Sequence, residues 1–205
     1  MYNILKAEEL ADKIYLMDVE APRVAKRCQP GEFVIVKMDE AGERIPLTIC
    51  DYDREKGTVT IVFQIVGAST YKMASLKAGD AFQDFVGPLG RPSEFVSEGL
   101  EAVRKRKYLF VAGGVGAAPV YPQVKWLKER GIDADVIVGA KNKELLILED
   151  VMREAAGNLY VTTDDGSYVR KGMVTDVIKD LVEVQGKKYD ICVAIGPMIM
   201  MKFVC

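Results

Sequence analysis

The 205-residue chain contains no histidine. Any reaction it runs proceeds without an imidazole base, which sets aside triad hydrolysis and most zinc chemistry. Its four cysteines, Cys28, Cys50, Cys192 and Cys205, lie far apart and form no CxxC pair. Neither a disulfide framework nor a metal-ligand spacing is present. No apolar run approaches the roughly 20 residues that span a bilayer. The start, MYNILKAEEL, lacks the basic-then-apolar pattern of a signal peptide. A cytoplasmic protein with no membrane partner is expected. A net charge of −2 gives no broad basic face for nucleic acid. The one basic cluster, Arg104-Lys105-Arg106-Lys107, reads either as a solvated linker or as a docking point for an acidic partner. Chemistry carried by a bound organic cofactor stays open.

What is present divides into two halves. The first hundred residues read as short strands between turns: Lys13 to Val19, Glu32 to Met38, Ile45 to Asp51, Thr58 to Val66 and Ala81 to Val86. These stretches are rich in Val, Ile, Phe, Tyr and Thr, and turn residues separate them. Both faces of VTIVFQIV are apolar, which predicts a closed antiparallel β-barrel. A short helix fits Ser69 to Leu76, capped by Ser69 or Thr70. From Tyr108 the pattern becomes strand, helix, strand: strands at Tyr108 to Ala112, Asp135 to Val138, Leu159 to Thr162 and Asp190 to Ile195, with helices at Pro119 to Arg130, Leu145 to Ala156 and Met173 to Val184. Strands alternating with helices of about a dozen residues predict a parallel α/β sheet. The expected domains are 1–98 and 99–205, with Arg91 to Lys107 as connector. The second is expected to be incomplete, because Met198 to Cys205 begins an apolar helix and stops.

Three stretches could carry chemistry. In LFVAGGVGAAPVYP, Gly113 and Gly114 allow a tight turn after a strand, Gly116 lets a ligand approach the backbone, and Ala117 and Ala118 permit close helix packing. The helix start then favours a phosphate or pyrophosphate; simple tight packing is the alternative. In TTDDGSYVRKG, Asp164 and Asp165 end a strand of the parallel sheet. There they would accept ribose hydroxyls and repel a 2′-phosphate, or serve only as turn residues. Arg170 and Lys171 lie nearby. In the first half, Arg44, Pro46 and Thr48 share one strand and its entry, and Gly67-Ala68-Ser69-Thr70 opens a helix. Each is turn and cap chemistry, or a second pyrophosphate cradle.

Taken together, GERIPLTICDYDREKGTVTIVFQIVGAST, DFVGPLG, AGGVGAAPVYP, TTDDGSYVRKGMVTDVI and AIGPMIMM resemble the ferredoxin–NADP reductase superfamily over nearly the whole chain. They are most similar to the branch holding the electron-transfer subunit of dihydroorotate dehydrogenase and the alpha (small) subunit of NADH-dependent ferredoxin–NADP oxidoreductase (sulfide dehydrogenase). The resemblance implies a flavin-binding barrel followed by an NAD(P)-binding domain. It assigns FAD to Arg44, Pro46, Leu47, Thr48, Gly67, Ser69 and Thr70, with Thr48 at the flavin N5 region and Pro46 and Leu47 along the isoalloxazine. It assigns NAD or NADP to Gly113, Gly114, Gly116, Asp164, Asp165, Gly166, Gly196, Pro197 and Met198. Two departures stand out: the arginine sits one residue early, with Ile45 in its usual place, and Leu47 replaces an aromatic. Ile195 stands where many relatives have cysteine, so no cysteine role is carried over.

The activity implied is hydride transfer between nicotinamide and flavin, with Thr48 as the catalytic residue. Electrons would pass on to a 2Fe-2S cluster held by cysteines outside this chain, and to a larger catalytic flavoprotein subunit or ferredoxin. Cys205 is not assigned as a cluster ligand. A stand-alone NAD(P)H–flavin reductase and a non-catalytic nucleotide-binding module are the alternatives.

Overall fold

The computed structural model describes Met1 to Val204, so Cys205 lies outside the described residues. The chain divides into two compact units, residues 1–97 and the remainder from Glu98. No helix among the described residues is long and apolar enough to cross a membrane.

The first unit is one antiparallel sheet of seven strands: β1 (Tyr2–Ala11), β2 (Ile14–Glu20), β3 (Phe33–Lys37), β4 (Ile45–Asp53), β5 (Thr58–Gln64), β6 (Ala81–Phe82) and β7 (Asp84–Leu89). They lie in the order β6-β1-β2-β5-β4-β3-β7. The two outermost strands are consecutive in the chain, with only Gln83 between them. A twisted sheet whose ends are joined by one residue must curl round on itself, which gives the expected barrel-like form. Its interior is filled by the inward residues of alternating strands, among them Met17, Val19, Val34, Val36, Ile49, Val59, Ile61 and Phe85. Helices α1 (Pro22–Ala25) and α2 (Ala68–Ala74) complete the unit.

Strand β1 has no counterpart in the sequence reading. Most of its residues are exposed or half-buried, so its charged run masks the strand period. The expected strand from Ala81 to Val86 is broken at Gln83, whose N–H turns to the Lys37 carbonyl at 2.9 Å. The expected cap of α2 is also corrected. Gly67 occupies the cap position, while the Thr70 hydroxyl reaches back to accept from the N–H groups of Val66 and Gly67 at 2.9 and 3.1 Å.

The second unit is a four-stranded parallel sheet of β8 (Tyr108–Gly113), β9 (Ala134–Ala140), β10 (Asn158–Thr163) and β11 (Ile191–Ile195), in the order β10-β9-β8-β11. Before it come a 3₁₀ turn at Glu94–Val96, in the first unit, and α3 (Leu100–Arg104), so the expected connector is structured. Alternate residues of β8 point to opposite faces. Leu109 and Val111 pack with Ile137 against α6 (Val174–Lys179), and α7 (Met198–Val204) adds Met200 and Val204 to that cluster. Helices α4 (Ala117–Lys128) and α5 (Glu149–Ala155) supply further buried residues, including Val120, Val124, Leu127 and Met152. The helix expected from Leu145 is interrupted: a 3₁₀ turn at Lys143–Leu145 leads to Leu148 in the left-handed region at φ 58, and α5 starts only after it. The helix expected from Met173 to Val184 passes from α into a π turn at Asp180–Val184.

At the amino ends of the strands, Asp135 gathers three donors: Lys187 Nζ at 2.7 Å, Tyr189 Oη at 2.6 Å and Asn158 Nδ2 at 2.7 Å. Burial alone would raise the Asp135 carboxyl, but the hydrogen bonds from Lys187, Tyr189 and Asn158 outweigh it and hold the group below its ordinary value. In the barrel, burial pushes the Cys28 thiol up to about 12, which makes it an inert core residue.

Two outcomes follow from these cores. Ile61→Ala removes a fully buried side chain and is expected to destabilise the first unit by about 2–5 kcal/mol in urea unfolding. Asp135→Asn is expected to cost about 1.5–3 kcal/mol at neutral pH, as for hydrogen bonds to a charged group. The Asp135 carboxyl titrates below 3.8 in the fold. Its stabilisation is therefore present above that pH and lost as pH falls through the lowered value. The stability gap between wild type and variant should accordingly narrow in acid.

Candidate functional site

In the first unit the candidate residues gather where two neighbouring strands part. Strand β4 pairs with β5 only from Ile49 onward. Residues 45–48 are paired with β3 alone, while Val62 to Gln64 continue along β2. Pro46, which has no N–H to give, sits in that one-sided stretch, where a ladder bond can be spared. The β5-facing edge of Pro46 and Thr48 is thus open, and Gly67 to Thr70 follow directly from the diverging strand. A hydrogen bond from the Ser69 hydroxyl to the Glu43 carboxylate brings the two stretches together across 26 positions of sequence.

Within this set the side chains have different capacities. The two-residue period places Pro46 and Thr48 on the outer face of β4. Leu47 packs against the barrel core, and its side chain therefore does not share the face expected to lie along a flavin. The Thr70 hydroxyl accepts two N–H groups and donates to the Gly67 carbonyl at 3.0 Å. That exhausts a hydroxyl's capacity, so the Thr70 hydroxyl shapes the turn, and a ligand at this residue would meet its backbone N–H in the first turn of α2. Arg44 pairs with Asp84 at 3.2 Å in an exposed contact, the kind of pair a stronger anion displaces easily. Nothing lies within 4 Å of the position a Gly67 Cβ would take, which leaves open space over the start of α2.

In the second unit the strand order, counted from β8, is 3-2-1-4. Its reversal point lies between β8 and β11, and open α/β sheets bind ligands outside the carboxyl ends of strands at such a point. Both glycine-bearing loops emerge there. Gly113 ends β8, a 3₁₀ turn covers Gly114–Gly116, and α4 begins at Ala117. Gly196 and Pro197 follow β11 and lead into α7.

The three loop glycines have distinct reasons. A Cβ on Gly116 would run into the Ile195 carbonyl oxygen, and one on Gly113 into Met200 Sδ and Pro197. Gly116, expected to admit a ligand, also makes room for the backbone of Ile195 and Gly196. Gly196 in turn lies against Gly113, with backbone atoms 3.1 Å from its own would-be Cβ. Gly114 alone is in the left-handed region, at φ 54, with open space beyond. It is the loop position at which a ligand can meet bare backbone.

Asp164, Asp165 and Gly166 sit at the same carboxyl edge, two strands from β8, or about 10 Å away at 4.8 Å per strand. The Asp165 carboxylate accepts the Ser167 N–H at 2.9 Å, and bonds from Ser167 hold its carboxyl below the ordinary value. Asp165 therefore does serve as a turn residue. Asp164 is exposed on the rim and its N–H is tied to the Ala140 carbonyl at 3.0 Å. Met198 is exposed.

Two residues the sequence did not single out anchor this loop. Thr162 and Thr163 are fully buried. The Thr162 hydroxyl faces the carbonyls of Gly172 and Arg170 at 2.6 and 3.2 Å. The Thr163 hydroxyl both donates to and accepts from the Tyr168 backbone. Their only sequence signal was a pair of threonines at a strand end, which is an ordinary strand composition. In the basic cluster, Arg106 pairs with Glu98 at 2.7 Å and Arg104 donates to the Arg130 carbonyl. Among the described residues no group of three or more His, Cys, Asp or Glu side chains is placed to hold a metal ion.

Comparison with known proteins agrees with this layout. The family described as Oxidoreductase NAD-binding domain matches residues 110–205. A Clostridium beijerinckii protein described as the uncharacterized protein in the adh 3′ region is 63% identical over 203 residues, 99% of this chain and 69% of its own length. The dihydroorotate dehydrogenase B (NAD(+)) electron transfer subunit homolog of Thermotoga maritima is 42% identical over 98% of this chain and 68% of that protein. A chain of the NADH-dependent reduced ferredoxin-NADP oxidoreductase structure, described in connection with flavin-based electron bifurcation, aligns with a TM-score of 0.88 at 38% identity, over 100% of this chain and 70% of that one. The two-unit fold matches that of ferredoxin-reductase-like proteins, and the chain belongs to the family of dihydroorotate dehydrogenase B electron transfer subunits and their homologues.

Proposed function

We propose that the chain is the FAD- and NAD(P)-binding electron-input subunit of a larger flavoenzyme, of the dihydroorotate dehydrogenase or ferredoxin–NADP reductase type. The observation that carries this reading is the pair of glycine loops meeting at the reversal point of the parallel sheet, beside the open Gly114 backbone. Bound flavin and nicotinamide would supply hydride transfer; the protein contributes position and exclusion of water.

On this reading residues 1–98 form the FAD-binding domain and residues from 99 the NAD(P)-binding domain. Thr48 presents a hydroxyl beside Pro46 on the open face of β4, suited to donate to a flavin ring nitrogen. Gly67 and Ser69 line the open space at the start of α2 and receive the flavin phosphates. Ser69 exchanges the Glu43 carboxylate for a phosphate oxygen, and Arg44 is drawn from Asp84 to the same charge. Gly114 receives the dinucleotide pyrophosphate, with Gly113, Gly116, Gly196 and Pro197 holding the loops in place. Met198, exposed at the start of α7, closes the nicotinamide end. Asp164 and the Asp165–Gly166 turn face the adenosine ribose and favour NAD, the nucleotide of the dihydroorotate dehydrogenase B (NAD(+)) relatives. The described residues offer no ligand set for a 2Fe-2S cluster. That cluster, a larger catalytic flavoprotein partner and ferredoxin are carried into this reading by the resemblance and by the relatives described as electron transfer subunits.

FAD-loaded protein is expected to lose its flavin absorbance when NADH or NADPH is added without oxygen. Loaded protein that keeps its colour with both nucleotides would overturn the hydride-transfer reading. Protein that takes up no FAD would favour the non-catalytic nucleotide-binding module. Turnover with a free acceptor, and no response to a partner subunit, would favour the stand-alone reductase.

The loop glycines give a second test. Gly114→Ala puts a side chain into the open ligand space at about 1 kcal/mol of backbone strain. It is expected to weaken nucleotide binding about ten-fold with a small loss of stability. Gly116→Ala meets the Ile195 carbonyl and should lower the melting temperature more than Gly114→Ala does, as read by calorimetry.

A further inference from the structure

The only arginine in the loop at the ribose end is tied up by a residue outside it. Arg170 lies seven residues after Thr163, and its backbone is folded back on the strand end. Its carbonyl accepts the Thr163 N–H at 2.9 Å and faces the Thr162 hydroxyl. The preceding residue, Val169, is a β-branched side chain held at φ 50 and exposed. Such a residue leaves the left-handed region unless its surroundings fix it there, so the path of the chain into Arg170 is set by the buried threonines.

The guanidinium does not turn toward Asp164 and Asp165. Its NH1 bonds Asp180 Oδ2 at 2.5 Å. Helix α6 runs from the carboxyl edge of the sheet, where Val174 packs beside Gly139, toward the amino edge, where the Leu181 carbonyl accepts the Lys187 N–H. Asp180 lies six residues after Val174, about 9 Å along the helix at 1.5 Å per residue. The arginine is therefore drawn down the helix and away from the rim.

The other cations near the rim are held differently. The Lys143 ammonium lies over the Tyr168 ring, 5.0 Å from its centroid. The Lys171 stem packs where a Gly166 Cβ would stand. Lys141, after β9, is exposed and offers a single ammonium, which lacks the bidentate fork that suits a phosphate.

We propose that Asp180 is a specificity-determining residue for the dinucleotide: by holding the Arg170 guanidinium along α6, it leaves the ribose end of the site to carboxylates and sets the protein against a 2′-phosphate. The proposal rests on the nucleotide-binding reading above and adds the residue that tunes it. The restraint is an exposed ion pair and therefore weak, so its release is expected to give a moderate change in preference.

The test uses two half-ligands that need no nicotinamide contact, 5′-AMP and adenosine 2′,5′-bisphosphate, titrated into the purified protein by calorimetry. Wild type is expected to favour 5′-AMP. Asp180→Asn should raise affinity for the bisphosphate about five-fold through a freed Arg–phosphate contact, with 5′-AMP changed less than about two-fold. Adding Arg170→Gln should abolish the gain, and Asp180→Glu should retain the wild-type preference. An unchanged affinity ratio in Asp180→Asn, or an equal shift for both ligands, overturns the role of Asp180 and leaves the nucleotide site standing. Wild type that binds neither adenylate nor NADH removes the nucleotide-binding reading itself, and this proposal with it.

Discussion

In the second unit the backbone of Gly113 and Gly116 lies against the backbone of Ile195 and Gly196, and the rim of the sheet is arranged around that contact. Strands β8 and β11 are neighbours in space but far apart in sequence, and their crossovers leave the sheet in opposite directions. Loops leaving such strands splay apart and open a crevice. Here the absence of side chains at three glycines lets the two loops touch main chain to main chain. Met200 lies against that contact from the side of α7. A ligand resting there meets peptide dipoles held by strands on both sides, a preorganised surface for negative charge.

The first unit reaches a comparable end by another route. Its opening comes from a ladder that stops early, leaving a strand edge beside a helix start. Thr70 is spent on the geometry of the turn, which keeps the Gly67 backbone extended and uncovered. Glu43 and Asp84 occupy Ser69 and Arg44. The polar groups of the opening are thus satisfied by side chains on the surface, where exchange for a phosphate costs little desolvation.

The alternation of strand and helix after Tyr108, the barrel-like first half and the glycine loops were legible because each rests on a local period or a local turn. β1 was not legible, because Lys6, Glu8 and Glu9 lie along a strand with little burial to mark its period. The inward turn of Leu47 follows from strand period alone and is legible on that ground. The interlock of Gly116 with Ile195, the bond of Ser69 to Glu43 and the pairing of Arg170 with Asp180 could not be read locally. Each depends on which distant segments the fold places side by side. A glycine required by a neighbouring backbone and one required by a ligand look the same in sequence; only the occupant of the missing Cβ position tells them apart.

The joining of the first sheet's two ends through Gln83 also bears on how the protein acquires its shape. The pairing of Tyr2 with Phe82 closes a loop of nearly the whole unit, and such closure carries an entropic cost that earlier, more local pairings do not. β1 with β2 and β4 with β5 can form as hairpins while the chain is still being made. Completion of the barrel must wait for the stretch around Phe82 to emerge. The parallel sheet of the second unit grows outward one crossover at a time from β8 toward β10, until β11 returns to the other side of β8. The turns between the barrel strands therefore have to keep a partly formed, open sheet soluble for most of the time the ribosome spends on the first unit.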